Sequence, residues 1–147
     1  MRFSRWIASL TLLFAAGASH ALDFKTIAPA AAIMYDAPSD KGGKLFVAPR
    51  GMPVEVVLSY GEWVKVRDMN GDMAWIELKQ LSAKRNVIAR NPNVKVRATA
   101  DEAAAPVMLV DKGVLLELVD NQITSWVKVR HRDGIIGFVK ASDIWGI

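Results

Sequence analysis

The sequence contains no cysteine among its 147 residues. Disulfide bonds are therefore excluded, and so are a thiol nucleophile and anchoring through a lipidated cysteine. Histidine is almost as scarce, with only His20 and His131, so the usual zinc-ligand spacings cannot form. The sequence also has no Gly-x-Ser-x-Gly elbow and no glycine-rich loop of the kind that cradles phosphate. These absences argue against an enzyme and a metal site, and we expect no cofactor.

No apolar run is long enough to span a membrane. Residues 6–18 are apolar at all but three positions and follow Arg2 and Arg5, whereas a spanning helix needs about 18 apolar residues or more. The segment ends on the small residue Ala21. This pattern predicts a secretory signal peptide over residues 1–21, with cleavage after Ala21. We therefore expect an exported, periplasmic protein without a stable membrane span.

Neither sign of charge dominates beyond the predicted signal peptide. Residues 22–147 contain 17 basic and 15 acidic side chains, which gives a net charge of +2. Nine basic and eight acidic residues fall in residues 22–86, and eight and seven fall in residues 87–147. Because the charges are spread evenly along the chain, we expect no patch that attracts nucleic acid or an anionic membrane.

The most informative feature is a repeat. The motif Trp-Val-Lys-Val-Arg occurs at Trp63–Arg67 and again at Trp126–Arg130. Each copy leads into a turn dipeptide, Asn70-Gly71 or Asp133-Gly134, of a type that accepts positive φ at both central positions. A strict two-residue turn would pair Val66 with Trp75, and a longer loop would change that register. Either way, the repeat predicts two copies of one β-rich unit.

The two copies align over most of their length at an offset of 62 residues. Tyr35 corresponds to Arg97, and Gly51 corresponds to Gly113. Short alternating segments and turn residues predict an all-β fold, and neither copy contains a convincing amphipathic helix. We place the first domain at residues 22–90 and the second at residues 91–147. Residues 22–29 are interpreted as a lead-in, and residues 86–90 as a strand between the copies.

The ordered set of motifs resembles the bacterial SH3-like domains, in tandem. The resemblance rests on a strand, a Pro/Ser-rich loop, a turn ending in Gly51, an alternating strand, the Trp-Val-x-Val motif, a glycine turn and the pair Trp75-Ile76. The second copy supplies the same series and ends in Gly137-Phe138-Val139. The resemblance implies two small five-stranded barrels that act as binding modules in the cell envelope, often for peptidoglycan peptides.

The chain departs from the proline-binding relatives of this family at two positions in each copy. Those relatives have a proline and then a tyrosine after the aromatic-aliphatic pair. Glu77 and Gln80 stand there in the first copy, and Lys140 and Asp143 in the second. The resemblance therefore does not extend to proline-rich ligands, since half of the aromatic slots for a polyproline helix are missing.

The aromatic residues are the candidate ligand-binding residues. On a strand, the side chains of Trp63 and Trp126 point away from those of the neighbouring valines. If the valines face the core, these tryptophans face outward, toward either a ligand groove or the other domain. The candidate groove residues are Trp63, Trp126, Tyr35, Trp75 and Phe138.

Two functions follow from this interpretation. The first is a non-catalytic binding module of the cell envelope, with a peptidoglycan peptide as its ligand. The alternative is an adaptor or structural protein that holds a periplasmic partner protein.

Overall fold

The structure, a computed structural model, describes residues 22–147, so the predicted signal peptide at residues 1–21 lies outside it. The described chain is all-β apart from two short 3₁₀ helices, Leu78–Gln80 and Ala141–Asp143. Within residues 22–147, no helix is long and apolar enough to cross a membrane. The strands of the first half are β1 (Phe24–Ile27), β2 (Ala31–Tyr35), β3 (Lys44–Pro49), β4 (Pro53–Tyr60), β5 (Trp63–Arg67), β6 (Met73–Glu77) and β7 (Leu81–Ser82). The strands of the second half are β8 (Asn86–Ala89), β9 (Val94–Arg97), β10 (Pro106–Val110), β11 (Leu115–Leu118), β12 (Trp126–Arg130), β13 (Ile136–Lys140) and β14 (Ile144–Trp145).

The strands form two antiparallel sheets with the same topology. The first runs in the order β3-β2-β6-β5-β4-β1-β7, and the second in the order β10-β9-β13-β12-β11-β8-β14. The predicted all-β tandem is thus confirmed. The expected five-stranded closed barrel is not, because each sheet has seven strands and its two end strands do not pair with each other. At one edge of each sheet, the end strand β7 or β14 is only two residues long. At the other edge, β3 or β10 has no strand paired to its outer side within the described residues.

Strands β1 and β8 differ from the expected arrangement. The residues interpreted as a lead-in form β1, which pairs with β4 and β7. The strand expected between the copies forms as β8, but it pairs with β11 and β14 of the second sheet. Hydrogen bonding therefore divides the sheets between Ser82 and Asn86 rather than after residue 90. Phe24 faces Glu55 and Asn86 faces Glu117, so β1 and β8 are equivalent strands of the two repeats.

The hairpin turns are longer than a two-residue turn. The backbone N–H of Asp68 donates to the carbonyl of Asp72 at 2.9 Å, and that of Gly71 donates to the carbonyl of Asp68 at 3.1 Å. Only the glycine has positive φ, at 87°, so of the two registers left open by the sequence the strict two-residue turn is not the one formed. A three-residue loop that ends in a left-handed glycine accounts for this geometry. It pairs Lys65 with Trp75 and Val66 with Ala74.

Each sheet has its own apolar core, because alternate residues of the repeated strand point inward. Val64 and Val66 are buried in the first core, and Val127 and Val129 are buried in the second. The valines of the repeated motif thus face the interior, which is the condition for outward-facing tryptophans. Their neighbours Trp63 and Trp126 therefore lie on the opposite face.

The two domains also contact each other. The rings of Phe24 and Trp145 meet edge to face, with centroids 5.1 Å apart and an interplanar angle of 85°. Arg85, in the segment between the sheets, lies over the Phe24 ring and donates from Nη2 to the Gly146 carbonyl at 2.9 Å. The Asn86 side-chain amide donates to the Gly51 carbonyl at 2.9 Å. Trp145 and Arg85, which lie outside the first sheet, thus provide part of the cover of Phe24.

Gly137 marks a close approach of strands that the first domain lacks. A Cβ atom there would lie 2.6 Å from the Arg97 carbonyl oxygen and 2.6 Å from Val96 Cγ1. Ala74 holds the equivalent position of the first domain, opposite Val66 as Gly137 is opposite Val129. We expect Gly137→Ala to destabilise the protein by about 1–3 kcal/mol, because the backbone must shift to admit the methyl group.

The check is urea denaturation of the variant beside Ala74→Gly. The latter creates no clash and is expected to cost about 1 kcal/mol, from the added chain entropy of glycine. A Gly137→Ala variant as stable as the unmodified protein would contradict the close approach.

Candidate functional site

The outer face of the first sheet, away from its core, brings three candidate residues together. Tyr35 of β2 pairs with Trp75 of β6, and Trp75 in turn pairs with Lys65 of β5. The Tyr35 and Trp63 rings meet edge to face, with centroids 5.6 Å apart and an interplanar angle of 83°. All three aromatic side chains are half-buried. They form one surface, which we call the aromatic face: Tyr35, Trp63 and Trp75.

Exposed apolar side chains extend the aromatic face on both sides. Tyr60 pairs with Trp63 across β4 and β5 and is 67% exposed. On the other side, Ile33 precedes Tyr35 by two residues on β2 and is 38% exposed. Adjacent exposed apolar residues of this kind are typical of an interaction surface.

A small pocket adjoins the aromatic face. It has a volume of about 140 Å³ and is lined by Ala31, Ile33, Tyr35, Glu77 and Gln80. Glu77 pairs with Trp63, and Gln80 is placed by the 3₁₀ helix that follows β6. The pocket therefore shares Tyr35 with the aromatic face and touches it at Glu77.

The chemistry of the pocket is mixed. Ile33 and the Tyr35 ring provide an apolar wall, whereas the Glu77 carboxylate only accepts hydrogen bonds and the Gln80 amide can both donate and accept. The Lys79 Nζ atom lies 3.1 Å from Glu77 Oε2 at the surface. An apolar wall with a few polar groups is what a small ligand site requires. Within residues 22–147, no cluster of three or more His, Cys, Asp or Glu side chains is arranged to hold a metal ion.

The second domain does not reproduce this chemistry. Phe138 pairs with Arg97, which stands where the first domain has Tyr35. The Arg97 guanidinium turns to the neighbouring loop and donates to the Ala104 carbonyl at 2.7 Å. Lys140, in place of Glu77, forms an ion pair with Glu102. Trp126 and Phe138 thus share their face with charged groups, and the two copies are not equivalent as ligand sites.

The sequence identifies the aromatic residues of the first domain but not the pocket beside them. Tyr35, Trp63 and Trp75 come together, while Trp126 and Phe138 lie on the other sheet. Ile33 is not among the candidate residues, although the alternation of β2 indicates that it shares a face with Tyr35. In the sequence, Glu77 and Gln80 are only departures from a motif, because their contribution to a pocket depends on the folded chain.

A family model described as "Bacterial SH3 domain" matches the chain twice, at residues 28–83 and 90–146. The matched ranges begin just after β1 and just after β8. Strands β1 and β8 therefore lie just ahead of the two matched ranges. No curated protein sequence matches the chain.

Among solved structures, the chain is similar to three proteins at low identity. Two are NlpC2 and NlpC1 from Trichomonas vaginalis, at 10% and 13% identity, with TM-scores of 0.38 and 0.37. The matches cover 85% and 92% of this chain, and 48% and 50% of those chains. The third is an NlpC/P60 family protein from Bacillus cereus ATCC 10987, at 17% identity and a TM-score of 0.38, covering 84% of this chain and 56% of that one. The chain spans about half the length of these structures.

Proposed function

Since the chain belongs to the bacterial SH3 domain family, in two tandem copies, we propose that it is an exported, non-catalytic binding protein of the cell envelope. Its proposed ligand is a peptidoglycan peptide, bound at the aromatic face of the first domain. The observation that carries the proposal is the contact between Tyr35 and Trp63 beside a pocket lined by Glu77 and Gln80.

This combination suits a short, extended peptide. The rings offer flat apolar area with little side-chain entropy to lose on binding. The carboxylate and amide of the pocket can meet backbone or amino groups of the ligand. A volume of about 140 Å³ admits a small side chain or an amino group rather than a whole sugar chain.

An adaptor role is the second candidate, and the spread of exposed apolar side chains favours it. Tyr60 and Ile33 widen the aromatic face beyond what one small pocket needs, and aromatic residues are enriched in protein interfaces. In that case, a periplasmic partner protein covers the face.

The test compares two binding assays with residues 22–147. Retention on purified sacculi, competed by soluble muropeptides, is the result expected from peptidoglycan binding. Failure to bind sacculi, together with capture of one defined partner from periplasmic extract, would replace this proposal with the adaptor role.

Export is tested by N-terminal sequencing of the protein from a periplasmic fraction. We expect the first residue to be Leu22, because the predicted signal peptide ends at Ala21. Recovery of the protein in the cytoplasm with Met1 retained would contradict export.

A further inference from the structure

A cleft between the two domains combines side chains from both halves of the chain. It has a volume of about 760 Å³, which is within the range of small-molecule and peptide sites. The first domain contributes Arg50 and Gly51, from the turn between β3 and β4. The second contributes Asn86 at the start of β8, residues 114–117, and residues 130–132 at the end of β12 and in the turn that follows it. Lys84 comes from the segment that joins the sheets.

The cleft is strongly basic, although charge is balanced along the sequence. Four basic side chains line it, Arg50, Lys84, Arg130 and Arg132, against the single carboxylate of Glu117, which gives a formal net charge of +3. Residues 22–147 as a whole carry a net charge of only +2. Folding thus concentrates in this cleft an excess of positive charge that is not visible along the sequence. Clefts lined by one sign of charge concentrate ligands of the opposite sign.

Two of these basic side chains, Lys84 and Arg130, form long ion pairs with the carboxylate of Glu117. Lys84 Nζ lies 3.9 Å from Glu117 Oε2, and Arg130 Nη1 lies 3.5 Å from Glu117 Oε1. Contacts of this length at a partly exposed carboxylate contribute little stability, so both cations remain available to a ligand. Among residues 22–147, neither Arg50 nor Arg132 forms an ion pair.

His131 belongs to the same cleft. Its position beside a hairpin turn suggests a solvated side chain, yet that side chain is only 15% exposed, with Nδ1 3.3 Å from Asp133 Oδ2. The ring therefore forms part of the cleft wall, next to Arg130 and Arg132.

The lining selects among anions. Apart from His131, no aromatic ring lines the cleft, so the stacking platforms that single-stranded nucleic acid requires are missing. Glu117 repels a compact, multiply charged phosphate, whereas carboxylates spaced along a chain can reach Arg50 of the first domain and Arg132 of the second separately. The arginine fork matches carboxylate geometry, and Leu115, whose Cδ1 atom lies beside Gly51, provides apolar surface for a peptide backbone. We propose that this basic cleft binds an acidic peptide segment across the junction of the two domains.

The test is a titration of ¹⁵N-labelled protein with a hexaglutamate peptide at roughly 20 mM salt, where screening is weak. We expect saturable shifts at the amides of Gly51, Asn86 and Leu115. Arg50→Glu and Arg132→Glu should each weaken binding about tenfold, since each turns a charge-assisted contact into a repulsion. Lys112→Glu is the matched control, because Lys112 precedes Gly113 as Arg50 precedes Gly51 but does not line the cleft.

The proposal is supported if Lys112→Glu binds hexaglutamate with an affinity within twofold of the unmodified protein while Arg50→Glu and Arg132→Glu both bind it more weakly. Absence of saturable shifts overturns it, as does an equal loss in all three variants. Tripolyphosphate or a single-stranded oligonucleotide that binds the same amides more tightly than hexaglutamate also overturns the assignment to an acidic peptide.

Discussion

Replacing Phe24 with alanine is expected to lower the free energy of unfolding by about 3 kcal/mol, at the lower end of the range for a buried phenylalanine. The side chain is 6% exposed, although it lies on the first strand of the described chain. Trp145 of the second domain and Arg85 provide part of its cover. The loss should therefore reach both domains rather than the first alone.

Thermal and urea unfolding of Phe24→Ala, Trp145→Ala and the double variant measure this effect. The double variant should lose less than the sum of the single losses, by the roughly 0.5–1.5 kcal/mol of an edge-to-face aromatic pair. Tyr60→Ala is the control, since its side chain is 67% exposed and its removal should change stability little. Strictly additive losses would show that the two rings do not act together.

Separate fragments extend the test to the whole interface. A domain of about 60 residues buries only about 60% of its unfolded surface and is marginal alone. Residues 22–83 and 84–147 should therefore each melt below the full chain. The cut is placed before β8 because a cut after residue 90 would remove that strand from the second sheet. Fragments that melt as sharply and as high as the full chain would show that the domains are independent.

Replacing Trp63 with alanine is expected to abolish most ligand binding while leaving the fold nearly intact. The ring lies on the outer face, half-buried against Tyr35, and aromatic hot spots of this kind contribute about 2 kcal/mol or more to binding. That corresponds to a loss of affinity of about 30-fold, measured on sacculi or on the partner protein.

Two further variants make the result specific. Val66→Ala removes a fully buried side chain, so it should cost on the order of 1–3 kcal/mol of stability with binding retained in the folded fraction. Trp126→Ala tests the difference between the copies, and we expect binding to stay within threefold because Arg97 replaces Tyr35 on that side. If Trp63→Ala unfolds the protein as much as Val66→Ala does, Trp63 is structural and the aromatic face is not the site.

The sequence predicts most of the architecture because the same pattern of alternating strand residues and turn residues occurs twice. The alternation around Val64 and Val66 determines which face is buried, and the spacing of the copies predicts the tandem. It does not reveal β1, because residues 24–27 are too short to show a period, although the offset of 62 continues back from β8 onto them. The hairpin register depends on whether one or two turn residues adopt positive φ, which Asn70-Gly71 alone does not decide.

The candidate site was predictable only where it depends on alternation. Tyr35 and Trp63 lie about thirty positions apart in sequence, and their faces follow from the strands that carry them. The basic cleft was hidden for the opposite reason. Arg50 and Arg132 come from turns of different domains, and their proximity depends on how Arg85 and Asn86 hold the two sheets together. Counting charges along the chain does not reveal such an arrangement, because it depends on contacts between residues far apart in sequence.

The unpaired edge strands of the two sheets affect the tendency of the protein to aggregate with other copies of itself. A free edge strand offers unpaired N–H and C=O groups to another chain, and apolar side chains such as Leu45 and Val47, both exposed on β3, strengthen such pairing. The edge strands β3 and β10 each contain a proline, Pro49 at the end of β3 and Pro106 at the start of β10. Since proline has no N–H to donate, an intermolecular ladder along either edge loses a rung, which disfavours aggregation by strand addition.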